Sequence, residues 1–160
     1  MSDKAVAIAS PLDGEIIGGR HVMPVRIYYE DTDFSGFVYH ASYLRFMERG
    51  RTNYLRLLGV DQRGLFEQAQ REAPGFAFVV RSMMLDFYKP AVMDDLLQII
   101  TEAGEVKGAS ITLKQKVTRG DDLLVTAAVR VACVSGGRAR PIPKALRIAM
   151  RADQDMIASR

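Results

Sequence analysis

From Phe76 to Val134 the chain is written almost wholly in strand patterns, broken only at short turns. Phe76 to Tyr88 (F-A-F-V-V-R-S-M-M-L-D-F-Y) stops at Pro90, and Leu96 to Glu105 stops at Lys107-Gly108. Ile111 to Thr118 stops at Arg119-Gly120-Asp121-Asp122, and Leu123 to Val134 stops at Gly136-Gly137. Short turns between long strands predict antiparallel neighbours. An earlier strand pattern spans Val22 to Glu30, with Met23, Val25, Ile27 and Tyr29 apolar in alternation and Pro24 marking its outer end. Between them Tyr43, Phe46, Met47, Tyr54, Leu57 and Leu58 recur at helical steps, which predicts an amphipathic helix over Ala41 to Leu58. One long helix laid on one antiparallel sheet buries both apolar faces, so the expected class is α+β.

Ser42 is the expected cap at the start of that helix and Gly59 its C-terminal stop. Gly50 falls on the apolar face, where a glycine costs about 1 kcal/mol relative to alanine. A close approach to another backbone would justify that cost, and a tolerated imperfection is the plain alternative. A short second helix is expected over Gln62 to Arg71, before Pro74-Gly75. The C-terminal piece, Arg138 to Arg160, reads as a weak helix with Leu146, Ala149 and Met150 as its apolar stripe and Lys144, Arg147 and Arg151 on another side.

At 160 residues and 48% apolar composition, the chain has the size of one ordinary domain. The expectation is a loose tail over residues 1–20 and a single domain over residues 21–160. Net charge is +3, from 22 basic and 19 acidic residues, which does not indicate nucleic acid. The single cysteine, Cys133, excludes an internal disulfide, and with two histidines it leaves too few soft ligands for a typical zinc site. Lys4 followed by Ala5 to Ala9 is shorter than the roughly 7 to 15 apolar residues of an export signal, and no stretch approaches the ~20 apolar residues of a membrane span. A reducing, cytoplasmic location is expected.

The segment Tyr28 to His40, Y-Y-E-D-T-D-F-S-G-F-V-Y-H, carries the chemistry. A strand empties there into an acidic turn and a helix follows at once, which is where a carboxylate can meet free backbone N–H groups. A carboxylate so placed can attack a carbonyl, or direct water at it, while the N–H groups take up charge developing on oxygen. The plain reading of Asp31 and Asp33 is turn residues bonded to nearby N–H groups. Their company favours the sharper one: Gly36 allows close backbone approach, and His40 can move a proton near neutral pH. Asp31 to Gly36 also matches the first half of a calcium-binding loop, D-x-D-x-S-G. The twelfth position, however, is Ser42 instead of glutamate, and a strand pattern stands where a helix is required, so calcium is rejected.

Y-Y-E-D-T-D-x-x-G-x-V-Y-H-x-x-Y-L-x-F-x-E-R-x-R, carried by Tyr28 to Arg51, resembles the signature of hotdog-fold acyl-CoA thioesterases. The branch is the one related to 4-hydroxybenzoyl-CoA thioesterase and to the thioesterase associated with the bacterial Tol-Pal system. A-F-V-V-R (Ala77 to Arg81), Asp94-Asp95 and R-x-x-P-K (Arg140 to Lys144) are similar to that branch too, so the resemblance spans most of Val22 to about Ile148. It implies a hotdog fold, a long central helix wrapped by a bent antiparallel sheet, in homodimers that often pair into homotetramers. It also implies hydrolysis of an acyl-CoA, or of an acyl carrier protein thioester, without metal or cofactor. Asp33 matches the family's catalytic carboxylate, as nucleophile or as general base, and His40 matches both its oxyanion N–H position and its histidine. Asp31, Gly36 and Tyr39 are supporting positions.

Phe34 and Phe37 stand where smaller residues are usual in that family, and Gly50 where it has alanine. The two phenyl groups are candidate substrate contacts that would shorten the acyl pocket or stack on an aromatic acyl group. Glu48, on the helix, is a reserve carboxylate; Arg45 and Arg51 flank it at helical spacing, so an ion pair on a solvated face is the plain reading. Arg138, Arg140, Lys144 and Arg147 are candidates for the coenzyme A phosphates or for a solvated basic tail. Cys133 reads as a small core residue, and His21 as a linker residue without an evident partner. Two alternatives stand beside hydrolysis. A hotdog dehydratase is disfavoured because His40 is followed by Ala41-Ser42 where those enzymes carry a His-Phe-Pro-Gly type motif; the other is a non-catalytic acyl-CoA or acyl-carrier-protein binding module.

Overall fold

A computed structural model describes residues 11–61 and 64–159. In chain order the elements are β1 (Glu15–Ile17), β2 (Arg20–Arg26), α1 (Ser42–Asp61), α2 (Leu65–Glu72), β3 (Ala77–Phe87), β4 (Leu96–Lys107), β5 (Ser110–Arg119), β6 (Asp122–Ser135), β7 (Arg138–Ala139) and α3 (Lys144–Ala158). The sheet runs β1-β2-β4-β5-β6-β3 with every pairing antiparallel, and β7 adds to β6. Its inner face meets α1, whose Phe46, Met47, Tyr54 and Leu58 are buried in one cluster with Ile99, Leu113, Val117, Val125 and Val129. Burying each such side chain contributes roughly 1.5–3 kcal/mol. A long helix wrapped by an antiparallel sheet is the hotdog arrangement that the resemblance implies.

Gly50 is where helix and sheet come closest. A Cβ there would lie 3.0 Å from Ile99 Cγ2 and from Thr101 Oγ1 and 3.2 Å from Gln115 Nε2. The close approach expected at this glycine is real, but it is made to side chains of the sheet and not to another backbone. Gly59 is not a stop. The helix continues to Asp61, and a Cβ on Gly59 would come within 2.0 Å of the Phe66 ring. This glycine answers to packing against α2, not to termination.

Three further expectations are corrected. β3 and β4 are not neighbours, although a short connection joins them: β3 pairs with β6, while β4 lies between β2 and β5. The connecting residues find partners elsewhere, Ala91 accepting from Val38 N–H and Asp94 donating its N–H to the Ile27 carbonyl. β2 ends at Arg26 and a 3-10 turn, Tyr29–Asp31, follows, leaving Tyr29 exposed. The expected tail is folded in part, since Pro11–Asp13 form a 3-10 turn and β1 pairs with β2 in the register Ile16↔His21; residues 1–10 lie outside the described residues, as does the expected helix start at Gln62.

His21 is no linker. It sits in β2, fully buried, with Nε2 2.7 Å from the Asp13 carbonyl oxygen, while Nδ1 has no hydrogen-bond partner among the described residues. Its ring lies 6.2 Å from that of Tyr54, whose hydroxyl donates to Asp153 at 2.6 Å, and the Asp13 carboxylate is shared with Arg56 at 3.1 Å. Burial pushes the imidazole below its ordinary 6.5 against the pull of Asp13. The unfolded chain therefore binds this proton more readily than the folded one, and stability rises with pH between the folded value and about 6.5. Thermal midpoints should fall as pH is lowered below 6.5, and His21→Gln, which keeps a donor but cannot titrate, should flatten that fall. An unchanged slope in the variant would assign the acid sensitivity to other groups.

Candidate active site

Past β2 the chain makes its 3-10 turn and then a narrow hairpin, with Thr32 bridged to Val38 and Phe37 to Val92. Asp33 N–H donates to the Phe37 carbonyl and Gly36 N–H to the Asp33 carbonyl, each at 3.0 Å. Gly36 has φ 85°, the left-handed conformation that the last residue of such a turn takes and that glycine adopts without strain. D-F-S-G is thus a turn built to order, and Asp33 stands at its first position.

The two aspartates part company here. Asp31 is buried, its Oδ2 accepting the Tyr28 N–H at 2.9 Å and its carbonyl accepting the Tyr39 N–H at 2.9 Å and the Ser42 hydroxyl at 3.1 Å. Ser42 therefore ties the first residue of α1 to the turn rather than capping the helix from outside. Asp33 is exposed, and its Oδ1 accepts both the N–H (2.8 Å) and the hydroxyl of Ser35. The Ser35 hydroxyl, then its N–H, hold the Asp33 carboxyl below its ordinary 3.8, with a smaller contribution from nearby His40. Among the described residues Oδ2 accepts no hydrogen bond.

His40 follows at the end of the hairpin, its ring 4.7 Å from Tyr39 and edge-on to Phe87 at 6.4 Å. Its backbone N–H and that of Ala41 find no backbone acceptor among the described residues. Val38, His40, Tyr43, Phe87, Tyr88 and Pro90 line a cleft of about 290 Å³ between the start of α1 and the end of β3. An ionised carboxylate, unpaired N–H groups at a helix start and an aromatic cleft are the parts that acyl transfer requires. Phe34 is fully exposed and Phe37 half-exposed on the same hairpin. Tyr43, Phe87 and Tyr88 were missed in the sequence because their strand and helix patterns carry no chemical mark. Ser35 did carry one, a hydroxyl two residues past a carboxylate.

Other candidates lie apart from this group. Glu48 is exposed on α1 and accepts the Thr52 hydroxyl at 2.7 Å. The ion pair expected with its flanking arginines is not formed: Arg45 lies 3.7 Å from Asp31, and Arg51 donates to Gln115 Oε1 at 3.0 Å. Arg140 is exposed, its N–H on the Cys133 carbonyl, and Lys144 opens α3 with its N–H on the Glu72 carboxylate. α3 packs on β4 and α2 and, through Asp153, meets Tyr54 in the later half of α1, roughly 16 Å along the helix from Tyr43. Lys144, Arg147 and Arg151 line a groove of about 590 Å³ there, so Arg140 and Lys144 stand at the other end of α1 from Asp33. Cys133 is buried, and burial pushes its thiol up, as befits a core residue. No cluster of three potential metal ligands occurs among the described residues.

Residues 35–126 match the model of the thioesterase superfamily. The chain is 48% identical over 128 residues to an acyl-CoA thioesterase, YbgC, of Haemophilus influenzae, covering 79% of this chain and 90% of the relative. A probable thioesterase of Bartonella henselae, 39% identical, superposes with TM-score 0.65 over 78% of this chain and 98% of its own. The fold is shared with a 4-hydroxybenzoyl-CoA thioesterase crystallised with 4-hydroxybenzoyl-CoA, TM-score 0.70 and 23% identity, over 82% and 98% of the two chains. The hotdog hydrolases of thioesters are thus the class to which hairpin and helix point. The chain belongs to the thioesterase superfamily.

The two aspartates should separate in stability. Asp31→Ala removes a buried acceptor and leaves the Tyr28 N–H unpaired, at a cost of about 1–3 kcal/mol. Asp33→Ala, at an exposed tip, should leave the thermal midpoint almost unchanged. Equal losses in the two variants, measured by thermal unfolding, would contradict this division.

Proposed function

We propose that this chain, acting as a single domain, hydrolyses acyl-CoA thioesters to the free acid and coenzyme A, with Asp33 as the catalytic carboxylate. The observation that carries the assignment is Asp33 itself, an exposed carboxylate held below its ordinary range, close enough to His40 to feel its charge, with Oδ2 accepting no hydrogen bond and the N–H groups of His40 and Ala41 finding no backbone acceptor among the described residues. Asp33 Oδ2 attacks the thioester carbon, the carbonyl oxygen takes up charge against those N–H groups, and the C–S bond breaks to release the thiolate. Water then cleaves the acyl-aspartyl anhydride, returning Asp33 as carboxylate and releasing the acid, and one proton from that water passes to the thiolate. His40 can carry the proton between leaving group and water. Asp31 and Gly36 hold the hairpin's shape, Tyr39 packs on His40, and Glu48 takes no part.

Phe87 in the cleft, with Phe34 and Phe37 exposed on the hairpin that carries Asp33, supports a preference for short or aromatic acyl groups. β3 is an edge strand with one side unpaired and with Val79, Val80, Met84 and Phe87 exposed. Such an edge invites pairing with a second copy, which supports a homodimer as the working unit and a homotetramer as its extension. Arg140 and Lys144, remote from Asp33 in one chain, would then serve coenzyme A phosphates across the subunit boundary. No helix among the described residues is long and apolar enough to cross a membrane; a cytoplasmic location belongs to the same reading. Acyl carrier protein as an alternative carrier, and an association with the Tol-Pal system, belong to the same reading.

Thiol release from short, long and aromatic acyl-CoAs by the wild type and by folded Asp33→Asn tests the assignment. The expected loss of kcat/KM in the variant is on the order of 10²- to 10⁴-fold. Acyl-CoA binding without hydrolysis by either protein would overturn it in favour of a binding module. For the phosphate contacts, the wild-type KM should rise with salt, and Arg140→Ala should raise KM at low salt and weaken its salt dependence; an unchanged salt response would remove Arg140 from the site.

A further inference from the structure

Ser35 lies two residues past Asp33, and both of its hydrogen donors converge on a single oxygen of that carboxylate. The N–H reaches Asp33 Oδ1 at 2.8 Å and the hydroxyl donates to the same atom. The hydroxyl oxygen accepts the Phe37 N–H at 3.3 Å, so the serine side chain is itself held by the returning arm of the hairpin. We infer that Ser35 is a positioning residue for hydrolysis: by occupying Oδ1 it sets the rotation of the Asp33 carboxylate and presents Oδ2 to the thioester carbon.

The inference rests on the reading of Asp33 as the catalytic carboxylate, and its physical basis is local. An aspartate at an exposed loop tip turns freely about its side-chain bonds, and either oxygen can face either way. A carboxylate oxygen offers about two lone-pair sites, and the two Ser35 donors fill those of Oδ1. The oxygen left over is then always the same one and always on the same side. Attack needs a reacting pair about 3–3.5 Å apart with orbitals aligned, and a misplacement of about 1 Å can cost on the order of 10²-fold in rate. The hydroxyl has a second effect, because it stabilises the charged carboxylate and keeps it ionised below its ordinary range. A lowered affinity for protons also makes the carboxylate a better leaving group from the anhydride. The alternative is a serine that only completes the turn.

Ser35→Ala removes the hydroxyl and keeps the N–H, and Ser35→Thr keeps both. The experiment is a ¹³C NMR titration of the Asp33 carboxyl together with pH–rate profiles of the wild type, both Ser35 variants and Asp33→Asn, with folding checked by thermal unfolding. Ser35→Ala should raise the Asp33 titration midpoint toward 3.8 and move the acid limb of kcat/KM the same way. It should also lower kcat on the order of tenfold with KM changed less than about twofold, and Ser35→Thr should restore all three. A Ser35→Ala enzyme with unchanged midpoint and kcat, beside an inactive Asp33→Asn, overturns the positioning role and leaves the role of Asp33 standing. A loss confined to the thermal midpoint also overturns it. Full activity in Asp33→Asn overturns both.

Discussion

The contact on which the rest of the structure depends is the one at Gly50, where α1 lies so close to the sheet that even a Cβ would press on Ile99, Thr101 and Gln115. Through that gap the buried amide of Gln115 donates to the Met47 carbonyl and to Thr101 Oγ1, each at 2.9 Å, and accepts from Arg51 at 3.0 Å. A buried amide left without such partners costs about 1–3 kcal/mol, more than the ~1 kcal/mol that glycine loses in helix propensity. The bond from β5 to a helix carbonyl allows one register of helix on sheet. With the register set, the first turn of α1 comes to rest beside the acidic hairpin, and Ser42 ties the two together through the Asp31 carbonyl.

From that anchor the site divides into a fixed base and an open tip. Asp31 and Asp33 are the same residue two positions apart, but Asp31 ends the 3-10 turn and is buried, while Asp33 opens the hairpin turn and is exposed. Inward, the carboxylate is consumed by the backbone of the preceding turn. Outward, it keeps its charge and one free oxygen. Environment, not residue type, separates the two roles, and the change from 3-10 turn to hairpin between the two residues is what produces two environments from a single pattern.

Much of this was legible in advance. The alternation in each β-segment and the helical stripe from Tyr43 to Leu58 located every long element, because burial on one face imposes its period on the sequence. The resemblance carried by Tyr28 to Arg51 led to Asp33 and His40, which lie on the hairpin and at the start of α1. Pairing of β3 was misread, since a short connection signals a hairpin only when the connecting residues have no better partners, and here Ala91 and Asp94 bond to Val38 and Ile27. Gly59 was taken for a stop because glycine signals termination and close packing with the same letter; only the Phe66 ring distinguishes them. His21 looked partnerless because its acceptor is a backbone carbonyl, which no side-chain pattern reveals.

The placement of the cleft argues that the single chain is an incomplete enzyme on the proposed reading. One wall of the cleft is Phe87, the last residue of β3, and β3 is an edge strand of the sheet among the described residues, with Val79, Val80 and Met84 exposed along it. Asp33 itself stands in water. Electrostatic stabilisation of a developing oxyanion is worth far more where water is excluded, yet nothing among the described residues covers the hairpin tip. A second copy paired along β3 would remove the unpaired N–H and C=O groups of the edge, bury its apolar side chains and build outward from Phe87 in one step. The same strand that closes the sheet would then close the site, and on the proposed reading the cost of leaving such an edge exposed and the cost of an open catalytic carboxylate would be met by one contact.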